Sequence, residues 1–195
     1  MSRQSEVSRL TKETRITIRL NLDGQGKAEI STGIPFFDHM LTAFTVHGFF
    51  DLGISATGDL DVDFHHTVED TGLVLGQAIQ QALSEKEGIQ RFGDASVPMD
   101  ESLSRVTIDL SNRPYLVYNI PDNLKSRGPF DAYLAREFFQ AICVKGGFNL
   151  HMNTLYGENE HHVLESIFKA FGRSLHAATR PISQVSGALS TKGCL

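Results

Sequence analysis

Residues 64–70 read FHHTVED and residues 160–166 read EHHVLES. Each stretch carries adjacent histidines followed, three places after the second, by a glutamate. On a helix, residues four apart share a face, so His65 points with Glu69 and His161 with Glu165. His66 and His162 point about 100° away and serve a different ligand position or a different metal. One such stretch at a helix start reads as a surface or capping feature. Two at matched places, each with glutamate at the same offset, read as a metal site. Imidazole plus carboxylate with no thiolate nearby suits Mn, Fe or Zn.

Outward from these stretches the chain repeats itself. TRITIRLNLDG (14–24) resembles SRVTIDLSNRP (104–114), and FFDHMLTAFTVHGFFDLGI (36–54) lines up with AREFFQAICVKGGFNLHM (135–152), which sets His39 opposite Glu137. The order of features is the same in both halves, which implies an internal duplication. In the first half, alternation in 15–22 predicts a strand. DGQG predicts a turn into a second strand over 27–32, as a hairpin. Residues 35–48 have helical apolar spacing, with Pro35 suited to the first turn and Gly48 to the stop. A strand over 49–57 and a helix over 65–86 follow. The second half predicts strands near 104–110 and 115–120, a helix near 130–144, a strand near 147–154 and a helix near 160–178. The expectation is an α+β fold: a duplicated β-β-α-β-α unit with sheets packed against helices, joined through the polar stretch 86–102. The whole of 1–195 reads as one domain of two pseudo-repeats, about 9–90 and 101–180, followed by a C-terminal tail. The Phe pairs at 36/37, 49/50 and 138/139 read as core.

At 195 residues, 41% hydrophobic and 21% charged, the chain suits a globular domain rather than a disordered or fibrous one. A net charge of -5 argues against non-specific nucleic-acid binding. Two cysteines, Cys143 and Cys194, make no disulfide scaffold and read as small buried hydrophobes of a reducing compartment. The first residues lack an apolar signal core, and no stretch is apolar enough to span a membrane. A cytoplasmic protein is expected.

Four histidines and two glutamates from the repeated motif, with His39 and Glu137 on the preceding helices, make eight candidate ligands. They suffice for two roughly octahedral metals with room for substrate. His47, two turns after His39, could face the same cleft, whereas His151 and His176 read as structural. Arg91, Arg113 and Lys192 are candidate anion contacts, and LSTKGCL (189–195) is compatible with phosphate binding. Glu13 reads as surface.

GIPFFDHML (33–41), DFHHTVEDTGLVLGQA (63–78), RFGDASVPMDESLSRVTIDLSNRPYL (91–116), GENEHHVLESIFKAFGRSLHAAT (157–179) and STKG (190–193) together resemble the imidazoleglycerol-phosphate dehydratases of histidine biosynthesis. The resemblance implies a metal-dependent lyase that converts imidazole glycerol phosphate to imidazole acetol phosphate. It implies two Mn ions per active site, with the substrate's ring bridging them as imidazolate. It implies a homo-oligomer of 24 chains with active sites where subunits meet, and no nucleic-acid or membrane partner. Motif by motif, the metal ligands would be His39, His65, His66, Glu69, His161, His162 and Glu165. The family's remaining ligand is most often a His just before FF in the third helix. Glu137 stands there, a carboxylate in place of the imidazole. Glu13, His39, His47, Arg91, Arg113, Ser190 and Lys192 match substrate-contacting positions. Glu13 would be the base, with Arg91, Arg113, Ser190 and Lys192 holding the phosphate.

Two rivals share the metal signature. A di-metal phosphatase would need a metal-bound water in line with phosphorus, and no Asp-rich phosphatase motif precedes the region. A ferritin-like cage would bury its carboxylates in a four-helix bundle, which the strand signals oppose.

Overall fold

Thr14, Ile16, Ile18 and Leu20 are buried and alternate with exposed Arg15 and Arg19, a period of two that makes β2 (Thr14–Asn21) a strand with one covered face. In the second half Ser102, Ser104, Val106 and Ile108 are buried in the same rhythm in β6 (Ser102–Asp109). The structure, a computed structural model, describes residues 3–121, 124, 128–185 and 187–193. The further elements are β1 (Gln4–Leu10), β3 (Ala28–Ser31), α1 (Pro35–Gly48), β4 (Asp51–Gly58) and α2 (His65–Leu83) in the first half. The second half adds β5 (Phe92–Met99), β7 (Tyr115–Asn119), α3 (Ala132–Gly146), β8 (Asn149–Tyr156) and α4 (Glu160–Thr179).

The architecture is α+β and duplicated, with two four-stranded sheets in the orders β1-β2-β4-β3 and β5-β6-β8-β7. Each unit opens with one strand more than the sequence pattern shows, so the repeat is β-β-β-α-β-α. The added strands are edges. In β1 only Val7 is buried, and β5 carries Pro98, a residue that a central strand excludes. The expected hairpin of β2 with β3 does not form. β4 lies between them, antiparallel to β2 and parallel to β3. The Asp51 carboxylate accepts from the Gln25 and Lys27 amides at 2.8 and 3.1 Å, which carries the turn across the start of β4. α1 then returns the chain from β3 to β4, as a parallel pair requires.

α1 and α2 cover the first sheet, and α3 and α4 the second. The two helical layers face each other, α1 on α4 and α2 on α3, so each half is completed by the other. Glycines set these crossings. A Cβ on Gly172 would lie 2.3 Å from Phe44 O and 3.0 Å from Gly48 N; on Gly76 it would lie 2.6 Å from Ile142 O and 2.9 Å from Gly146 N. These are equivalent positions of the two repeats. So are Thr14–Asp70 and Ser104–Ser166, each joined by a side-chain hydrogen bond. Between the layers Phe44 stacks on Phe171 at a centroid distance of 5.0 Å, and within the second layer Phe138 stacks on Phe168 at 5.6 Å. Of the Phe pairs, Phe37, Phe50, Phe138 and Phe139 are core, and Phe36 packs partly buried against it. Phe49 is not core: it takes a left-handed conformation (φ 57°) to end α1 and is half exposed. Cys143 is buried as expected, and Cys194 lies outside the described residues. None of the described helices is long and apolar enough to cross a membrane, and the eight strands exclude a four-helix bundle.

Candidate active site

Both His-His helices start in the same way. Asp63 accepts from the His65 amide at 2.8 Å, and Asn159 accepts from the His161 amide at 3.0 Å. An Asx side chain two residues ahead thus fixes the first turn and the direction of the histidines. At the start of α4, His161 Nε2 lies 3.1 Å from Glu165 Oε2, and His39 Nε2, arriving from α1, lies 3.2 Å from the same oxygen. Among the described residues these three are the group whose ligand atoms converge within 4.8 Å. The Lys169 ammonium holds the other oxygen of Glu165 at 2.6 Å. Burial raises the pKa of Glu165, but Lys169 and His39 outweigh it and bring it to about 2, so the carboxylate is anionic.

The start of α2 is the looser counterpart. His65 Nε2 lies 3.8 Å from Glu69 Oε2, and the His65 ring lies 6.5 Å from that of Tyr133 on α3. Glu137, one turn after Tyr133, does not converge with His65 and Glu69 within 4.8 Å. Its carboxylate pairs with Arg136 at 3.3 Å.

The second histidine of each motif is pinned by a carboxylate that no sequence pattern singled out. His66 Nδ1 donates to Asp59 at 3.0 Å, and His162 Nδ1 donates to Glu101 at 2.6 Å. Asp59 stands seven positions before its histidine and Glu101 stands 61 before, so the repeat offered no register in which to find them. A proton held on Nδ1 leaves the Nε2 lone pair for a metal. The Asp59 hydrogen bond raises the pKa of His66, and the His162 hydrogen bond lowers that of Glu101 to about 2.

A metal fits this donor set. Cis ligands of an ion bound at ordinary metal–nitrogen distances stand about 3 Å apart, the spacing of both imidazoles from the Glu165 oxygen. Imidazole and carboxylate donors with no thiolate among them suit Mn, Fe or Zn.

Glu13 sits in the exposed turn between β1 and β2, its Oε2 4.0 Å from His66 Nδ1. His47, two turns after His39 on α1, lies towards the other end of that helix. It lines a separate cavity of about 320 Å³ with Arg173, His176 and Arg180, where burial lowers its pKa. Arg91, Arg113, Ser190 and Lys192 do come together, lining one open cavity of about 1010 Å³.

Comparison with known proteins settles the family. A sequence profile of imidazoleglycerol-phosphate dehydratase matches residues 32–175. The chain belongs to the imidazoleglycerol-phosphate dehydratase family. A family member from Trichlorobacter lovleyi is 57% identical over 195 residues, all of both chains, and one from Geobacter sulfurreducens is 53% identical over the same span. The crystal structure of the dehydratase from Staphylococcus aureus superposes with a TM-score of 0.82 at 38% identity, covering 91% of this chain and 99% of that one. That from Pyrococcus furiosus gives 0.85 at 37% identity, covering 97% and 100%.

Proposed function

We propose that this dehydratase of histidine biosynthesis removes water from imidazole glycerol phosphate to give imidazole acetol phosphate, in active sites shared between copies of the chain. One observation carries the shared site. The triad His39, His161 and Glu165 lies at the start of α4. The Arg91 amide donates to Ala178 O at the far end of that helix. Seventeen residues of helix between His161 and Ala178 span about 25 Å. A ring and a phosphate joined by a three-carbon chain cannot bridge that distance. A triad from one copy and an anion cavity from another can lie close enough for one substrate. This supports a closed homo-oligomer, 24 chains by family likeness; the cytoplasmic setting follows from the biosynthetic role rather than from the geometry. The C-terminal tail then forms part of the substrate site, as the tail of one domain built from two repeats.

His39, His65, His66, Glu69, Glu137, His161, His162 and Glu165 would hold two manganese ions, and bound metal would supply Lewis acidity that stabilises negative charge on the imidazole ring. The protein does the rest. Arg91, Arg113, Ser190 and Lys192 take the phosphate and orient the carbon chain. His47, from its own cavity, contacts substrate bound to another copy. As hydroxide leaves the carbon beside the ring, the Glu13 carboxylate takes the proton from the next carbon, and the resulting enol relaxes to the ketone. An exposed carboxylate in a turn, with its Oε2 4.0 Å from His66 Nδ1, is placed beside the motif where the ring is held.

The test is turnover of imidazole glycerol phosphate by metal-stripped enzyme, before and after manganese is restored. Turnover returns with the metal, and Glu13→Gln lowers kcat by about 10²–10⁴-fold with metal content unchanged. Near-normal turnover in Glu13→Gln would remove the base role. No turnover with any divalent metal would sink the reaction itself.

A further inference from the structure

The anion cavity carries a negative charge of its own. Asp109, the last residue of β6, accepts from Arg91 Nε at 2.7 Å and from Arg91 Nη2 at 3.2 Å. Arg113 Nη2 lies 3.6 Å from the same Asp109 oxygen that takes Arg91 Nη2. The third arm of Arg91, Nη1, donates to Leu189 O in the tail at 2.6 Å. The Arg91 backbone is fixed as well: its N–H donates to Ala178 O at 2.8 Å and its carbonyl accepts from Leu110 N at 3.1 Å. The side chains of Arg91 and Asp109 are 12% and 18% exposed, so their pairing is poorly screened, whereas Arg113 is 65% exposed.

These contacts take three of the five guanidinium N–H groups of Arg91 and leave one on each terminal nitrogen. A guanidinium held at Nε, Nη1 and Nη2 cannot turn, so the two remaining donors have fixed directions. Arg113 has no such frame, and its Asp109 contact draws its guanidinium to the same edge of the cavity. A carboxylate there also offsets the repulsion between two adjacent cations.

By charge alone, Asp109 should weaken binding of any anion. We propose that Asp109 is a positioning residue for the substrate phosphate: it orients the guanidinium groups of Arg91 and Arg113, and that orientation outweighs its own repulsion of the phosphate. The inference rests on the reading of this cavity as the phosphate seat.

Charge and position predict opposite signs, which makes the test sharp. Asp109→Asn keeps the shape and removes the charge. Its kcat, its KM and its inhibition constant for inorganic phosphate are measured on the assembled, manganese-loaded enzyme. We expect KM and the phosphate inhibition constant each to rise about tenfold, with kcat within a few-fold of wild type. Asp109→Glu, which keeps the charge on a longer stem, should fall between the two. Phosphate binding that is unchanged or tighter in a folded Asp109→Asn protein overturns the proposal. If the Asn variant fails to assemble, the Glu variant decides: raised KM with retained kcat supports positioning, and wild-type values for both refute it. Wild-type enzyme that turns over substrate yet shows no competitive inhibition by phosphate would sink the phosphate-seat reading instead.

Discussion

Gly172→Ala should loosen the crossing of α1 on α4 and the metal triad with it. The new Cβ would stand 2.3 Å from Phe44 O, where ordinary contact begins at 3.4 Å, so the helices must part by about 1 Å. Helix propensity pulls the other way, because Ala in place of Gly gains about 1 kcal/mol in an isolated helix. Overpacking a close-packed interior costs about 1–3 kcal/mol. The atom struck is a backbone carbonyl, which cannot rotate aside, so the upper end of that range applies. The net expectation is a loss of about 2 kcal/mol, or a fall in Tm of roughly 4–8 °C for a chain of this length. Denaturant unfolding of the metal-stripped protein, followed by circular dichroism, measures the loss without the contribution of bound metal. Gly76→Ala, with Ile142 O at 2.6 Å, should behave alike in stability. Only Gly172→Ala should also weaken manganese binding at the triad, because α1 carries His39 and α4 carries His161 and Glu165. A Gly172→Ala protein as stable as wild type, or more so, would mean that propensity wins and that the helices do not cross as closely as described.

Asp59→Ala removes the acceptor of His66 Nδ1 and should lower manganese affinity about 10–100-fold in a metal-buffered titration; unchanged affinity would mean that His66 needs no orienting partner. Glu137→Ala should reduce the manganese retained per chain after dialysis, and wild-type content would show that Glu137 is not a ligand. Lys86 is buried, its ammonium donating to Asn112 Oδ1 at 2.6 Å and to Gly146 O at 3.1 Å. Burial lowers its pKa to about 8, against the pull of Asp109. A folded chain that releases this proton before the unfolded chain gains stability as pH rises from about 8 towards the unfolded value of about 10.4. The stability difference between wild type and Lys86→Met should therefore shift in favour of wild type over that window; parallel curves in urea unfolding would refute the assignment.

The duplication was legible because the strongest signals, the alternation of Thr14 to Leu20 and the helices opening on His65 and His161, occur twice in order. What escaped had no local signature. β1 buries a single valine, and the edge position of β5 is what tolerates Pro98. The insertion of β4 beside β2 depends on the Asp51 carboxylate holding two amides far away in sequence, which no turn rule encodes. At the site, helical spacing paired His161 with Glu165. Only the crossing of α1 on α4 brings His39 to that carboxylate, and only the fold shows that Asp59, Glu101 and Asp109 stand behind the residues the motifs name.

The interleaving of the halves bears on how the chain could misassemble. A sheet with one helical layer is left with an apolar face, and any second half in reach can cover it, including that of another copy. What favours the intramolecular partner is the short join from Leu83 to Phe92, which keeps the two halves at high effective concentration. That join is itself tied down: Gly88 exchanges backbone hydrogen bonds with Ile182 and Gly187 of the tail, both at 2.9 Å. By that tie the tail would act as a latch against domain swapping, and truncating it should release swapped dimers, seen as a larger species in size-exclusion chromatography.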